Sequence, residues 1–434
     1  MKSSSSFKNS ITSFPKNFWV VIVMEFFERG SYYGVMSVLS IYLVLRPSEG
    51  GLGFSKESVG LIKSVIQPLL YILPILSGAI AEQYGYRKTL FFSFTVMSLG
   101  YFLTSMATSY NLVFLSLICM ALGAGFFKPI IAGTIARNTD ESNSALGFGI
   151  YYWSINLGAF LFPLILIPYL KQFSWSYIFL MAAVGTGWLL FLNFFVYKDP
   201  RTEKSNSENA LQKVFANAIL VLKDYRFLLM IVIYSGFWIL YFQMFDSVLW
   251  YLKEHIDMAP VNSSINWVLS FFISNPNWKF DAEHVTVINA LTIIVLQIAV
   301  SNFVKNKAAI TTMISGILMG TLGIGMLAIS SNAWVFIAGM IIFSVGEMTA
   351  HPKFISYVGL IAPPDKKAIY QGYAFLYGVL GSGIGGILGA KMYVLFVEKL
   401  NMPSVFWLIF VIIGLATAIG LLLFNIYLTP KREN

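Results

Sequence analysis

Glu25-Phe-Phe-Glu28-Arg29-Gly-Ser-Tyr32-Tyr33-Gly34 puts three ionised side chains within one turn of a run that is otherwise apolar enough to span a membrane. Charge in hydrocarbon is costly and is kept where it faces a protein interior or an aqueous cavity, so such a cluster marks a functional site by default. On a helix, Glu25, Glu28 and Arg29 stand at i, i+3 and i+4, and Tyr32 continues the same face. The four can therefore line one wall of a path for a polar solute. The competing reading, a fixed Glu25–Arg29 pair that only holds the helix to a neighbour, leaves Glu28 unexplained.

Composition extends the membrane reading to the whole chain. Of 434 residues, 57% are hydrophobic and 11% charged, and mean hydropathy is +0.73; soluble domains carry roughly 25% charged residues. The single Cys119 excludes an intramolecular disulfide and a thiolate metal site. His255, His284 and His351 lack HExxH spacing, so catalytic zinc has no ligand set. The net charge of +9 lies mostly in short segments between apolar runs, which points to topology and not to nucleic acid. No Walker motif, serine–histidine pair or hydrolase-like carboxylate pair is present, so neither a primary pump nor a membrane enzyme is expected. Gly381, Gly385 and Gly389 lie in a glycine-dense run with no preceding strand and no GK[ST]; their four-residue repeat reads as a helix-packing face.

A bilayer core takes about 20 apolar residues per helix. The apolar runs place helices near 17–45, 55–81, 89–108, 111–136, 145–170, 176–197, 227–252, 283–303, 308–329, 333–361, 367–398 and 402–428. Lys and Arg alternate between them as the positive-inside rule requires, which puts both termini in the cytoplasm. The expected organisation is an all-α polytopic protein with a disordered tail over 1–16, a six-helix bundle over 17–197, a polar linker over 198–226, a second bundle over 227–428 and a short tail over 429–434. The Ser-rich start is no signal peptide, because the following run is too long, is charged and has no cleavage site. An insertion over 253–282 is expected outside, either as a short interfacial helix over Ile265–Ile273 or as a cap over an entrance. Two such halves suit a transporter that rocks about a central site.

The loop Gly78-Ala-Ile-Ala-Glu82-Gln83-Tyr84-Gly85-Tyr86-Arg87-Lys88-Thr89 resembles the signature loop of the major facilitator superfamily, with Glu82 for the usual Asp and Gln83 for the common Arg. The resemblance implies gating roles for Glu82, Arg87 and Lys88 at the cytoplasmic face. Within that superfamily, Glu25-x-x-Glu28-Arg29-x-x-Tyr32-Tyr33-Gly34 resembles the ExxER(F)xYYG signature of the proton-dependent oligopeptide transporter family. Further segments are similar in the family's order: Tyr71-Ile-Leu-Pro74, Gly125-Phe-Phe-Lys128-Pro129, Tyr151-Tyr152-Trp-Ser-Ile155-Asn156-Leu-Gly158, Phe237-Trp238 to Gln243, Asn289, and Glu347 to Pro352 with its Ala-Pro363 ending. The resemblance covers about residues 17–428.

A peptide zwitterion presents a carboxylate and an ammonium and little else that is constant. A carrier of many peptides therefore needs one cationic and one anionic end. Arg29 and Lys128 supply the first and Glu347 the second. By resemblance, Tyr32, Tyr33, Tyr71, Asn156 and Asn289 add hydrogen bonds, and Glu25, Glu28, Arg29 and Lys128 form the proton-coupling group, because carboxylates near mobile cations change protonation as distances change. The expected function is proton-coupled import of di- and tripeptides by a monomer in a bacterial inner membrane, with the proton as coupling ion and no cofactor.

The chain departs from the family at several positions. Met36 and Phe242 stand where many members carry an Arg and a Glu that pair across the halves; their joint loss avoids stranding one buried charge and argues for a rewired gate. Asp246, one turn beyond Phe242, can replace the acid or sit at the extracellular mouth. His351 for Ser adds a group able to titrate near neutral pH, Lys353 is a gate charge or an interfacial anchor, and Ala374 replaces a common Trp. These departures keep a second class open, a carrier of the same fold for an anion, an amino-acid conjugate or a cell-wall peptide. A non-transporting receptor or channel is disfavoured by the two-half layout.

Overall fold

The computed structural model describes residues 14–140, 143–200 and 210–429. Most of the expected N-terminal tail, the Thr202–Asn209 core of the linker and residues 430–434 lie outside the described residues. Lipid offers no partner for backbone amides, so a spanning segment must satisfy them internally. Accordingly the described residues contain helices and no strand.

Eleven described helices are long and apolar enough to cross a membrane: α2 (Lys56–Tyr84), α3 (Tyr86–Met106), α4 (Tyr110–Arg137), α5 (Leu146–Lys171), α6 (Ser176–Phe195), α7 (Tyr225–His255), α8 (Glu283–Val304), α9 (Ala309–Ile329), α10 (Ala333–Ile361), α11 (Lys367–Lys399) and α12 (Pro403–Tyr427). Before them stands α1 (Lys16–Met36), 21 residues long and distinguished by Glu25, Glu28 and Arg29. The expected single helix over 17–45 is instead two, because the chain turns at Ser37-Val38 and resumes as a short helix, Leu39–Val44. No proline or glycine accounts for that turn. Two starts are fixed by side-chain caps. Asp224 accepts from the amides of Arg226 and Phe227 at the start of α7, and Asn332 from those of Trp334 and Val335 at the start of α10.

The helices assemble into two compact units, one of Met1–Val35 with Leu69–Ala218, the other of Met36–Pro68 with Ile219–Asn434. The division is not at the linker alone: the end of α1 and the first part of α2 belong with α7 to α12. In the first unit α3 packs on α4 and α6; in the second, α9 packs on α10 and α12, and α7 on α11 and α12. The glycine stripe of α11 lies on α7. A β-carbon at Gly381 would stand 2.5 Å from Cβ of Trp238, and one at Gly389 would collide with the Gln243 amide. Gly381→Val is therefore expected to cost about 1–3 kcal/mol by overpacking, read as a lowered thermal midpoint in detergent; an unchanged midpoint would mean that α11 shifts freely.

Two connecting segments differ from expectation. The linker, read from composition as polar throughout, contains a helix at Ala210–Leu222 that exposes Phe215, Ile219 and Leu222. The 253–282 insertion forms its helix at Ala259–Leu269, six residues earlier than expected, because Pro260 is well placed in the first turn. Asn262 and Asn266 then hold the returning chain, accepting from the amides of Phe280 and Trp278 at 2.7 and 2.8 Å.

Candidate substrate and proton site

On α1 the helical spacing delivers the charged face that the sequence implies. Glu25 and Glu28 are fully buried and Arg29 nearly so. Arg29 turns its fork to Glu28, with Nε donating to Oε2 and Nη2 to Oε1 at 2.6 Å. Glu25 is only a distant partner, 3.7 Å from Arg29 Nε, and neither of its carboxylate oxygens has a hydrogen-bond partner. One glutamate thus holds the guanidinium while the second waits beside it. The Arg29 guanidinium also lies over the Tyr32 ring, 4.9 Å from its centre, and Tyr32 meets Tyr33 edge-on at 5.2 Å.

Lys128 of α4 is half-buried. Its ammonium is 5.8 Å from the centre of the Tyr71 ring, within the field of Arg29, Glu28 and Glu25, and among the described residues it makes no ion pair. Asn156 spends its amide on its own helix, donating to the Tyr152 carbonyl at 2.9 Å. The first unit therefore gathers Glu25, Glu28, Arg29, Tyr32 and Lys128 into one electrostatic group, with Tyr71 beside the lysine.

In the second unit, Glu347 of α10 accepts from the Asn289 amide of α8 at 2.9 Å, and Asn289 also donates to Ser344 at 3.0 Å. His351, one turn on, is walled by aromatic rings: Trp238 at 5.2 Å and Tyr377 at 5.6 Å between centres, with the Tyr234 hydroxyl 3.4 Å from Nδ1. Ala374 is fully buried.

The positions assigned to gating are engaged separately. Glu82 reaches a partner outside its own loop. It takes Arg137 of α4 at 3.1 Å and the Tyr86 hydroxyl, while Arg87 donates to the last carbonyls of α6, Asn193 at 3.1 Å and Phe194, a favourable place for a cation on the helix dipole. Lys353 likewise donates to the carbonyls of Lys305 and Lys307 at 3.2 and 2.8 Å, just past the end of α8.

Asp246 sits where α7 is interrupted and is buried with Lys63 of α2, 3.2 Å away. The Ser40 hydroxyl donates to it as well, and Lys63 Nζ is 4.0 Å from the sulfur of Met36. The cation absent at Met36 thus stands on the neighbouring helix, and the acid absent at Phe242 one turn further along α7. Nearer the start of α2, Lys56 is held by Glu254 and Glu398, each at 2.5 Å. Sequence reasoning missed Lys56, Lys63 and Arg137. Lys63, eight residues into an apolar span, carried the same signal as the α1 cluster.

Residues 18–280 match the sequence profile described as Major Facilitator Superfamily, more than half of the chain, and the chain belongs to that superfamily. With its long apolar helices, that membership makes it an integral multi-pass membrane protein. Dipeptide and tripeptide permease B of Photorhabdus luminescens is 30% identical over 212 residues, 48% of this chain and 42% of that protein. A solved peptide transporter, POT, in complex with sulfate is similar at TM-score 0.79 and 19% identity, over 95% of this chain and 94% of that one. A POT family transporter in complex with 5-aminolevulinic acid is similar at TM-score 0.78 and 20% identity, over 96% and 99%. Likeness at such identity bears on the fold. The chain spans less than half the length of the curated relatives it matches.

Proposed function

We propose that this protein imports di- and tripeptides with protons by alternating access, both termini lying in the cytoplasm. The observation that carries the reading is the division of Arg29 between two buried glutamates, one hydrogen-bonded to it and one not. Protonation of Glu28 releases the guanidinium to an incoming carboxylate; when the peptide leaves, Arg29 recaptures Glu28 and the proton departs inward. Lys128 assists at the carboxylate pole, and Glu347, steadied by Asn289, takes the ammonium. Tyr32, Tyr33 and Tyr71 supply hydrogen bonds to the peptide.

The test uses Glu347. A charge-assisted contact is worth about 1.5–3 kcal/mol, so Glu347→Gln is expected to weaken binding of free-amino dipeptides by roughly tenfold or more. N-acetylated dipeptides, which lack the ammonium, bind the original protein poorly and lose little further on substitution. The four affinities form a cycle whose coupling term isolates the contact. Equal losses for free and acetylated peptides would remove the amino-terminus assignment.

A second reading, a carrier of the same fold for a different small solute, is favoured by Met36, Phe242, His351 and Ala374. Thermal stabilisation across a peptide library separates the two, because a ligand of the folded state raises stability by mass action. Stabilisation by anions or amino-acid conjugates alone would favour the second.

A further inference from the structure

At one end of the second unit a cavity of about 820 Å³ opens between the first turns of α7 and α9 and the last turns of α10 and α12. Arg226, Lys305, Lys307 and Lys353 line it, against a single acid, Asp224. That acid is already engaged: it caps α7 and accepts the Tyr370 hydroxyl at 2.8 Å. Among the described residues none of the four cations forms an ion pair with a carboxylate. The start of α9 adds to the positive field, since its cap position is Ala308 and no side chain satisfies its first amides. The cavity is thus a basic pocket whose one acid is engaged by a helix cap and a tyrosine and not by the four cations.

An apolar groove continues from it. Leu229, Ile233, Gly420, Leu423 and Tyr427 line about 260 Å³ between α7 and α12, and Phe424 and Leu428 belong to both groove and cavity. The groove is shaped by the absence of a side chain at Gly420, where a β-carbon would come within 3.0 Å of Ile233. A basic pocket at the ends of spanning helices that leads into an open apolar groove matches a molecule with an anionic phosphate and an acyl chain. A free phosphate would fill the first and leave the second empty.

We propose that this is a binding site for an anionic phospholipid, with the headgroup phosphate among Arg226, Lys305, Lys307 and Lys353 and one acyl chain along α7 and α12. The site uses none of the residues assigned to the peptide poles, so it stands whether or not the transport reading does.

The full chain, purified in a neutral detergent, is titrated with phosphatidylglycerol, phosphatidylcholine or inorganic phosphate while bound lipid is counted by native mass spectrometry and the thermal midpoint is recorded. Phosphatidylglycerol is expected to bind and raise the midpoint; phosphatidylcholine binds weakly and inorganic phosphate leaves the midpoint unchanged. Arg226→Gln/Lys305→Gln/Lys307→Gln, which alters exposed side chains, is expected to weaken phosphatidylglycerol binding by about a hundredfold. Leu423→Trp, which fills the groove, weakens it independently and leaves the charges in place. Undiminished binding in both variants overturns the proposal. Equal stabilisation by inorganic phosphate also overturns it, in favour of a soluble anion.

Discussion

Glu28→Gln is expected to abolish proton-driven accumulation of peptide in proteoliposomes while leaving exchange of labelled for unlabelled peptide measurable. A one-proton symporter sustains roughly a tenfold concentration gradient for each unit of pH difference, about 1.4 kcal/mol. The variant should stop at equal concentrations on the two sides. The expectation rests on the geometry of Arg29, whose Nε and Nη2 both reach Glu28; in the proposed scheme this is the carboxylate whose protonation frees the guanidinium. A glutamine there keeps the shape, cannot bind or release the proton, and leaves Arg29 one charged partner, Glu25, already 3.7 Å away. Exchange returns the carrier loaded and needs no resetting of that proton. Persistent accumulation against a gradient would transfer the coupling role to Glu25, whose unpartnered oxygens make it the alternative acceptor.

The span pattern and the α1 site were legible because each is a local property. A run of about 20 apolar residues has one use in a bilayer, and Glu25, Glu28 and Arg29 are brought together by helical spacing alone. Partner choice over long separations was not legible. Nothing in the spacing joins Lys63 to Asp246, 183 positions apart, or Glu82 to Arg137. The linker helix was missed for a different reason. Its charge and Ser/Asn content obscured Phe215, Ile219 and Leu222, whose spacing of four and three is helical and whose side chains are exposed. The helix of the 253–282 insertion was placed too late because its apolar residues, Trp267 to Ile273, drew the boundary, whereas Pro260 sets the start.

The pair Lys63–Asp246 gives the second large effect, and one that separates a stabilising charge from a stranded one. Both residues are buried, 3.2 Å apart, beside Met36 and Ser40, and the Trp250 indole donates to the Ser40 carbonyl at 3.3 Å. Removing the cation alone, as Lys63→Met, leaves a buried carboxylate with only the Ser40 hydroxyl. Breaking one side of such a pair costs about 3–5 kcal/mol, whereas replacing both sides with apolar groups of similar volume is often neutral. The thermal midpoint should therefore fall sharply in Lys63→Met and in Asp246→Leu, and recover most of the way in the double variant. The same logic accounts for Met36 and Phe242: a chain that loses an Arg and a Glu together strands neither, and can carry its charge pair one helix and one turn away. If Lys63 and Asp246 lock α2 to α7, the recovered double variant should also label faster than the original protein with an impermeant thiol reagent, at a cysteine introduced for Ser40. A double variant as unstable as either single one would show that the cost is shape and not charge, and the pair would then be an anchor of the packing and nothing more.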